Sequence, residues 1–235
     1  MRVTFRQEQF VAISAEEEET LDAIKRWWND SGKFIAMGIM AVAVVYFGWQ
    51  FWVSSRNNVT AEASALYDQL TGIAVAEPGT PIPETDRTRA LELVSQIKSD
   101  YSGSIYSLYA ALFGARLAVE NNDLATARQE LEWLLANTRS GFFGSTDPTL
   151  VALAQLRLGR VLLAEGQAAQ ALTVISGAEP GALAADFDEL RGDIYLSQGQ
   201  RDQALTAYEA ARSAGSGSPV LQLKLNELQG STGAQ

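Results

Sequence analysis

The sequence predicts an all-α protein in which one transmembrane helix near the N-terminus precedes a solenoid of helix-turn-helix pairs. Three observations predict it. A twenty-residue run, Phe34–Val53, carries no charge. A helix-turn-helix unit recurs three times from Leu108 onward. No stretch alternates apolar and polar residues for long enough to form a strand.

Composition narrows the chemistry before any element is placed. The 235 residues contain no Cys and no His. Disulfides, thiol catalysis, Ser-His-Asp triads and His- or Cys-built metal sites are thereby excluded. The net charge of −10 argues against nucleic acid as a partner. No residue pattern points to a cofactor.

The N-terminal arm, residues 1–33, ends in an amphipathic stretch. Leu21, Ile24, Trp27 and Trp28 fall at helical spacing in residues 16–31, behind the acidic run Glu16–Glu19. This stretch reads either as a membrane-edge stop or as a docking element. The run that follows, FIAMGIMAVAVVYFGWQFWV, spans about 30 Å as a helix, the thickness of a hydrocarbon core. Its flanks suit a headgroup boundary: Trp27, Trp28 and Lys33 on one side, Trp49, Trp52 and Arg56 on the other, all facing membrane lipid. A buried core helix of this length without charge is rare. A cleavable signal peptide does not fit the acidic leader or the bulky Phe51–Val53 end. Lys25, Arg26 and Lys33 outnumber Arg56 near the span, so residues 1–33 are expected in the cytoplasm and residues 54–235 across the membrane.

Beyond the span, residues 57–76 read as a helix with Ala61, Ala65, Leu66, Leu70 and Ile73 on one side. Glu77–Asp86 holds three prolines and a glycine and reads as a loop. Residues 87–101 are helical again, with Ala90, Leu91, Val94, Ile97 and Lys98 along one side. The repeats follow at about 108–135, 150–178 and 186–212. Each is a helix, a polar turn (Asn121–Asp123, Glu165–Gln167, Gln198–Gln200) and a second helix. Ala127, Ala171 and Ala204 hold one position in the second helices, with Leu131, Ile175 and Tyr208 four residues later. The last two copies lie 33 residues apart, and the first two 44, because of an inserted loop, GFFGSTDPT. A period near 34 with this architecture is the tetratricopeptide pattern, against the alternative of a generic α-bundle. Ala115, Gly159 and Gly192 are small where the paired helices approach, and the repeated alanines are expected to face them. Residues 218–229 fit a capping helix, with Ser218 as N-cap, Pro219 first, and Leu221, Leu225 and Leu228 on one stripe.

In tetratricopeptide geometry the first helices line the inner face. That places Tyr109, Leu112 and Arg116, then Leu153, Leu156, Arg160 and Leu163, then Asp186, Glu189 and Asp193 along a groove that is apolar, holds two arginines and ends in acid. The groove either receives an apolar helix or extended segment of a partner, or is filled by the capping helix itself. A hydrolase reading fails on geometry. Lys98 stands beside Asp100 on a helix, and the pairs Glu130/Glu132 and Asp186/Asp188 are spaced i,i+2, which points them apart. These groups are expected on solvated faces.

The motifs KRWWNDSGK, GWQFW, ASALYDQL and LQLKLNEL, in that order and spacing, resemble the YfgM-type ancillary subunit of the SecYEG translocon over nearly the whole chain. Residues 1–15 stand outside the likeness. The resemblance implies a single-pass protein of the bacterial inner membrane, N-terminus in the cytoplasm, with a periplasmic tetratricopeptide-like domain. It also implies association with SecYEG and with a periplasmic chaperone of the PpiD type, assistance to nascent secreted chains, and a cytoplasmic regulator contact through the N-terminal arm. A scaffold for envelope or cell-division machinery is the competing class, since fold alone does not separate the two.

Overall fold

The computed structural model describes residues 15–74, 82–139 and 146–232. It divides into two compact units, Met1–Asn57 and Asn58–Gln235. No strand occurs among the described residues.

In the first unit, α1 (Ala15–Trp27) runs into one wide π-helical turn, Trp28–Gly32. Gly32 permits that turn, because a Cβ there would lie 2.6 Å from the Trp28 indole. Helix α2 (Lys33–Ala74) begins with an apolar window, Lys33–Phe51, in which no residue is buried. It is the one helix long and apolar enough to cross a membrane among the described residues. The sequence reading closes the span at Val53 and starts a new helix at residue 57. The helix instead continues to Ala74. Ser54–Asn58 contains neither Pro nor Gly, so nothing breaks the backbone there.

The second unit is a run of paired helices. The C-terminal part of α2 packs with α3 (Glu84–Asp100) and with α4 (Ile105–Glu120) around Leu70, Leu93, Ile97 and Leu117. The buried stripe of α2 is Ala63, Leu66, Leu70 and Ile73, whereas the expected Ala61 and Ala65 are exposed. Likewise Leu93 replaces Leu91 inside α3. Helix α3 also starts three residues earlier than expected: Pro83 precedes it, and Glu84 and Asp86 complement the positive end of its dipole. The rest of the expected loop, residues 77–81, lies outside the described residues, as do residues 1–14 and most of the inserted loop.

Helices α4 and α5 (Leu124–Ala136), α6 (Pro148–Ala164) and α7 (Ala168–Ser176), and α8 (Ala184–Ser197) and α9 (Arg201–Ser213) are the three repeats. Their turns share one device. The middle residue is left-handed in each: Asn122 at φ 59°, Gly166 at 78° and Gly199 at 76°. The next amide then donates back to a carbonyl five residues earlier, Asp123 to Ala118, Gln167 to Leu162 and Gln200 to Tyr195, at 2.8 Å every time. Three independent stretches of chain thus end a helix in the same way, which is the structural signature of a repeat.

Packing within each pair corrects one expectation. Gly159 lies against Ile175, whose Cγ2 would be 2.8 Å from an added Cβ, and Gly192 lies under the Tyr208 ring. The close neighbours are therefore the residues four beyond the repeated alanines. Ala171 meets Gly159 only through its carbonyl oxygen, at 3.9 Å. Ala127, Ala171 and Ala204 are fully buried. Helix α10 (Pro219–Thr232) covers α9 with Leu221, Leu225 and Leu228, and the Ser218 hydroxyl accepts from the Leu221 amide at 3.3 Å.

Candidate functional site

Two cavities of the second unit meet at Arg160 of α6, which borders both. The first, of about 390 Å³, lies between α4, α5 and α6. Its wall is apolar: Ala115 and Val119 from α4, Leu131 from α5, Val161 from α6. Its rim carries three arginines and one carboxylate: Arg116 and Glu120 on α4, and Arg157 and Arg160 on successive turns of α6. The second cavity, of about 610 Å³, is polar. Asp186, Glu189 and Asp193 of α8 line it with the Ala214–Ser218 connection.

The charges differ in how they are satisfied. Arg116 Nε donates to Glu120 at 2.7 Å, and Arg160 Nη2 to Asp186 at 3.0 Å. At the acidic end, Lys224 of α10 reaches Asp193 at 2.6 Å and Glu189 at 3.2 Å, and the Tyr208 hydroxyl donates to Asp193 at 2.6 Å. Lys224 also sits 5.5 Å from the Tyr208 ring. Burial and that carboxylate together push the Tyr208 hydroxyl well above the ordinary tyrosine range. Arg157 is different. It is half-buried, and no acidic partner meets it among the described residues. Burial, then Arg160 and Arg116, hold its guanidinium below the usual arginine range.

Of the ten residues expected on the groove, Arg116, Arg160, Asp186, Glu189 and Asp193 line the two cavities. Leu112 and Leu156 do not. They are 8% and 1% exposed and belong to the core. A first helix touches its own partner and the preceding pair at once, so its buried arc is wider than a single stripe. Tyr109, Leu153 and Leu163 are half-buried at the edge of that core. The Tyr109 ring lies 5.8 Å from that of Tyr67, whose hydroxyl burial raises first and Tyr109 second. Arg157 and Lys224 are the residues that sequence reasoning passed over. For Arg157 the signal was present, as an arginine within an otherwise apolar helix one turn from Arg160.

The supposed solvated face at Lys98 and Glu130 is also corrected. Lys98 Nζ lies 2.7 and 2.6 Å from the two Glu130 oxygens and 4.7 Å from the Trp133 ring, tying α3 to α5. No group of Asp and Glu suited to a metal occurs among the described residues. At the membrane-boundary positions, Trp27, Trp28, Lys33 and Trp49 are exposed, while the Trp52 and Arg56 side chains lie outside the described residues.

A family model described as a tetratricopeptide repeat-like domain matches residues 25–230. A protein of Aggregatibacter actinomycetemcomitans named ancillary SecYEG translocon subunit is 31% identical over 93% of this chain and all of its own length. Proteins of the same name from Haemophilus influenzae and Escherichia coli are each 28% identical, over 93% and 92% of this chain and 100% and 98% of their own. No solved structure matches the chain.

Proposed function

Because the chain belongs to the family of ancillary SecYEG translocon subunits, we propose that it is a non-enzymatic accessory of the Sec translocon, anchored by Phe34–Val53 in the bacterial inner membrane. In this reading residues 1–33 remain cytoplasmic and the repeats stand in the periplasm. There they bind a chaperone of the PpiD type and segments of secreted or outer-membrane proteins as these emerge. The N-terminal arm offers the cytoplasmic contact for a regulator.

One observation carries the reading: the likeness to translocon subunits runs unbroken through anchor and repeats alike, over 93% of the chain. Physical chemistry supports the anchor. Phe34, Phe47, Trp49 and Phe51 are each more than 60% exposed, a burden that water does not bear and acyl chains remove. The bias of Lys25, Arg26 and Lys33 supports the orientation. The apolar wall of the cavity between α4, α5 and α6, with arginines at its rim, supports a binding role.

The test is co-purification from gently solubilised membranes, with site-specific crosslinkers on the inner face. Recovery of translocon and chaperone subunits is expected. Recovery of envelope-synthesis proteins in their place would move the protein to the scaffold class. A phosphatase fused at Gln235 should be active, and an inactive one would invert the orientation.

A further inference from the structure

The apolar cavity between α4, α5 and α6 carries an unanswered charge. A half-buried guanidinium gives up part of its hydration, and a carboxylate within reach replaces what is lost. Arg116 and Arg160 have carboxylates at 2.7 and 3.0 Å. Arg157, half-buried between them on the cavity wall, has none among the described residues. It keeps its place beside two like charges in a chain whose net charge is −10, where acidic side chains are the commoner kind. The geometry therefore has room for one more anion, and the wall beside it is aliphatic.

Volume limits what that anion is attached to. One turn of an α-helix with its side chains, 5.4 Å long and 10–12 Å across, fills on the order of 400–600 Å³. The cavity holds about 390 Å³. It has room for one or two branched side chains of a peptide segment laid across it.

We propose that this cavity recognises an extended aliphatic peptide segment that carries one carboxylate, with Arg157 forking onto the carboxylate and a neighbouring Leu or Val side chain entering between Ala115, Leu131 and Val161. A planar guanidinium suits such a bidentate contact, and partial burial strengthens it. This deepens the binding role proposed above and rests on the inner face being open to partners. It makes the preference chemical: apolar segments with an acidic residue, in advance of neutral or basic ones.

The test uses the full chain in lipid nanodiscs, with empty nanodiscs as the blank, and fluorescence anisotropy of short end-blocked Leu/Val peptides. One peptide carries a central Glu, a second Gln at that place, a third Lys. The Glu peptide should bind roughly tenfold more tightly than the Gln peptide, the size of one charge-assisted contact. Arg157→Gln should abolish that difference, and Arg157→Lys should keep part of it. Equal binding of the Glu and Gln peptides, an unchanged preference in Arg157→Gln, or no peptide binding at all would each overturn the proposal. Tight binding of the Gln peptide alone would leave the open inner face standing and remove only the anion. A lasting Glu preference in a protein that fails to co-purify with the translocon would do the reverse.

Discussion

Replacing Gly192 by Ala sets two large effects against each other, and the structure decides between them. In an exposed helix Gly→Ala stabilises by about 1 kcal/mol, because alanine has less backbone freedom to lose. At Gly192 the new Cβ would land on the Tyr208 ring, with Cζ at 2.9 Å and Cδ1 and Cε1 nearer still. Tyr208 has nowhere to go. Its side chain is 0% exposed, its hydroxyl is held by Asp193 at 2.6 Å, and Lys224 stands over its ring. Overpacking of this kind costs about 1–3 kcal/mol, and loosening the hydroxyl contact about 1 more. The net expectation is a loss of about 1–3 kcal/mol. For a unit the size of Asn58–Gln235 that lowers Tm by roughly 3–10 °C. Gly114→Ala is the control. Its nearest neighbours would be Val94 Cγ1 at 3.1 Å and the Glu130 carboxylate at 3.4 Å, a much milder approach than at Gly192, so Tm should fall by less than it does in Gly192→Ala. Thermal unfolding followed by circular dichroism reads both. Hydrogen exchange should place the loss in α8 and α9, and adding Tyr208→Leu should make the second substitution cheaper than it is alone. A Tm for Gly192→Ala at or above that of the parent would refute the close approach of α8 and α9 at this point.

Other outcomes follow from the same contacts. Lys98→Met strands Glu130 at 18% exposure and should cost about 1–3 kcal/mol by thermal or denaturant unfolding, while Lys98→Met with Glu130→Met should recover most of it. Asp123 accepts from the Thr126 amide at 3.0 Å and from its hydroxyl at 2.7 Å, which holds its carboxyl below the ordinary aspartate value of 3.8. With the folded value depressed, this stabilisation is present above pH 3.8 and is lost as pH falls through the folded value. Acid unfolding of Asp123→Asn should therefore be less steep than that of the parent. Tyr208 carries the opposite sign. Its raised value stabilises the fold below the ordinary tyrosine value of 10.0, and that support is lost as pH rises above it, so tyrosinate absorbance from this residue should appear only together with unfolding.

What the sequence makes legible is local. Ser218, Pro219 and the three leucines announce α10 because capping and a heptad-like stripe act within a few residues of each other. The turns around Asn122, Gly166 and Gly199 are legible for the same reason. What it hides is which side of a helix faces a neighbour that is distant in sequence. Leu91 and Leu93 differ by two positions and exchange roles because α4 lies over one and not the other. Leu112 and Leu156 look like groove residues until two neighbours close on the helix. The pairs Lys98–Glu130 and Lys224–Glu189, 32 and 35 residues apart, join α3 to α5 and α10 to α8, and no periodicity in one helix encodes them.

At the polar cavity the protein supplies its own cation. Lys224 spans from α10 to Glu189 and Asp193 with side-chain exposure of only 24%, so the protein's own capping helix neutralises this end. The arginine end keeps a free cation among the described residues. The two cavities thus differ: α10 supplies a cation to the polar one and does not line the apolar one. Lys224→Gln should then separate two roles. If the lysine serves only the fold, the loss is about 1–3 kcal/mol, from two half-buried carboxylates left facing each other, and binding of an acidic-aliphatic peptide at Arg157 is unchanged. If α10 also limits how far a bound segment extends toward α8, Lys224→Gln lets a peptide with a basic residue beyond its acidic one bind several-fold more tightly, since Glu189 and Asp193 then lack their cation. Anisotropy with that longer peptide, read beside thermal unfolding, distinguishes the cases. The contacts favour the second, because Asp186 and Glu189 line the same polar cavity that begins at Arg160. No gain for the basic-tailed peptide in a folded Lys224→Gln protein would confine α10 to the role of a cap.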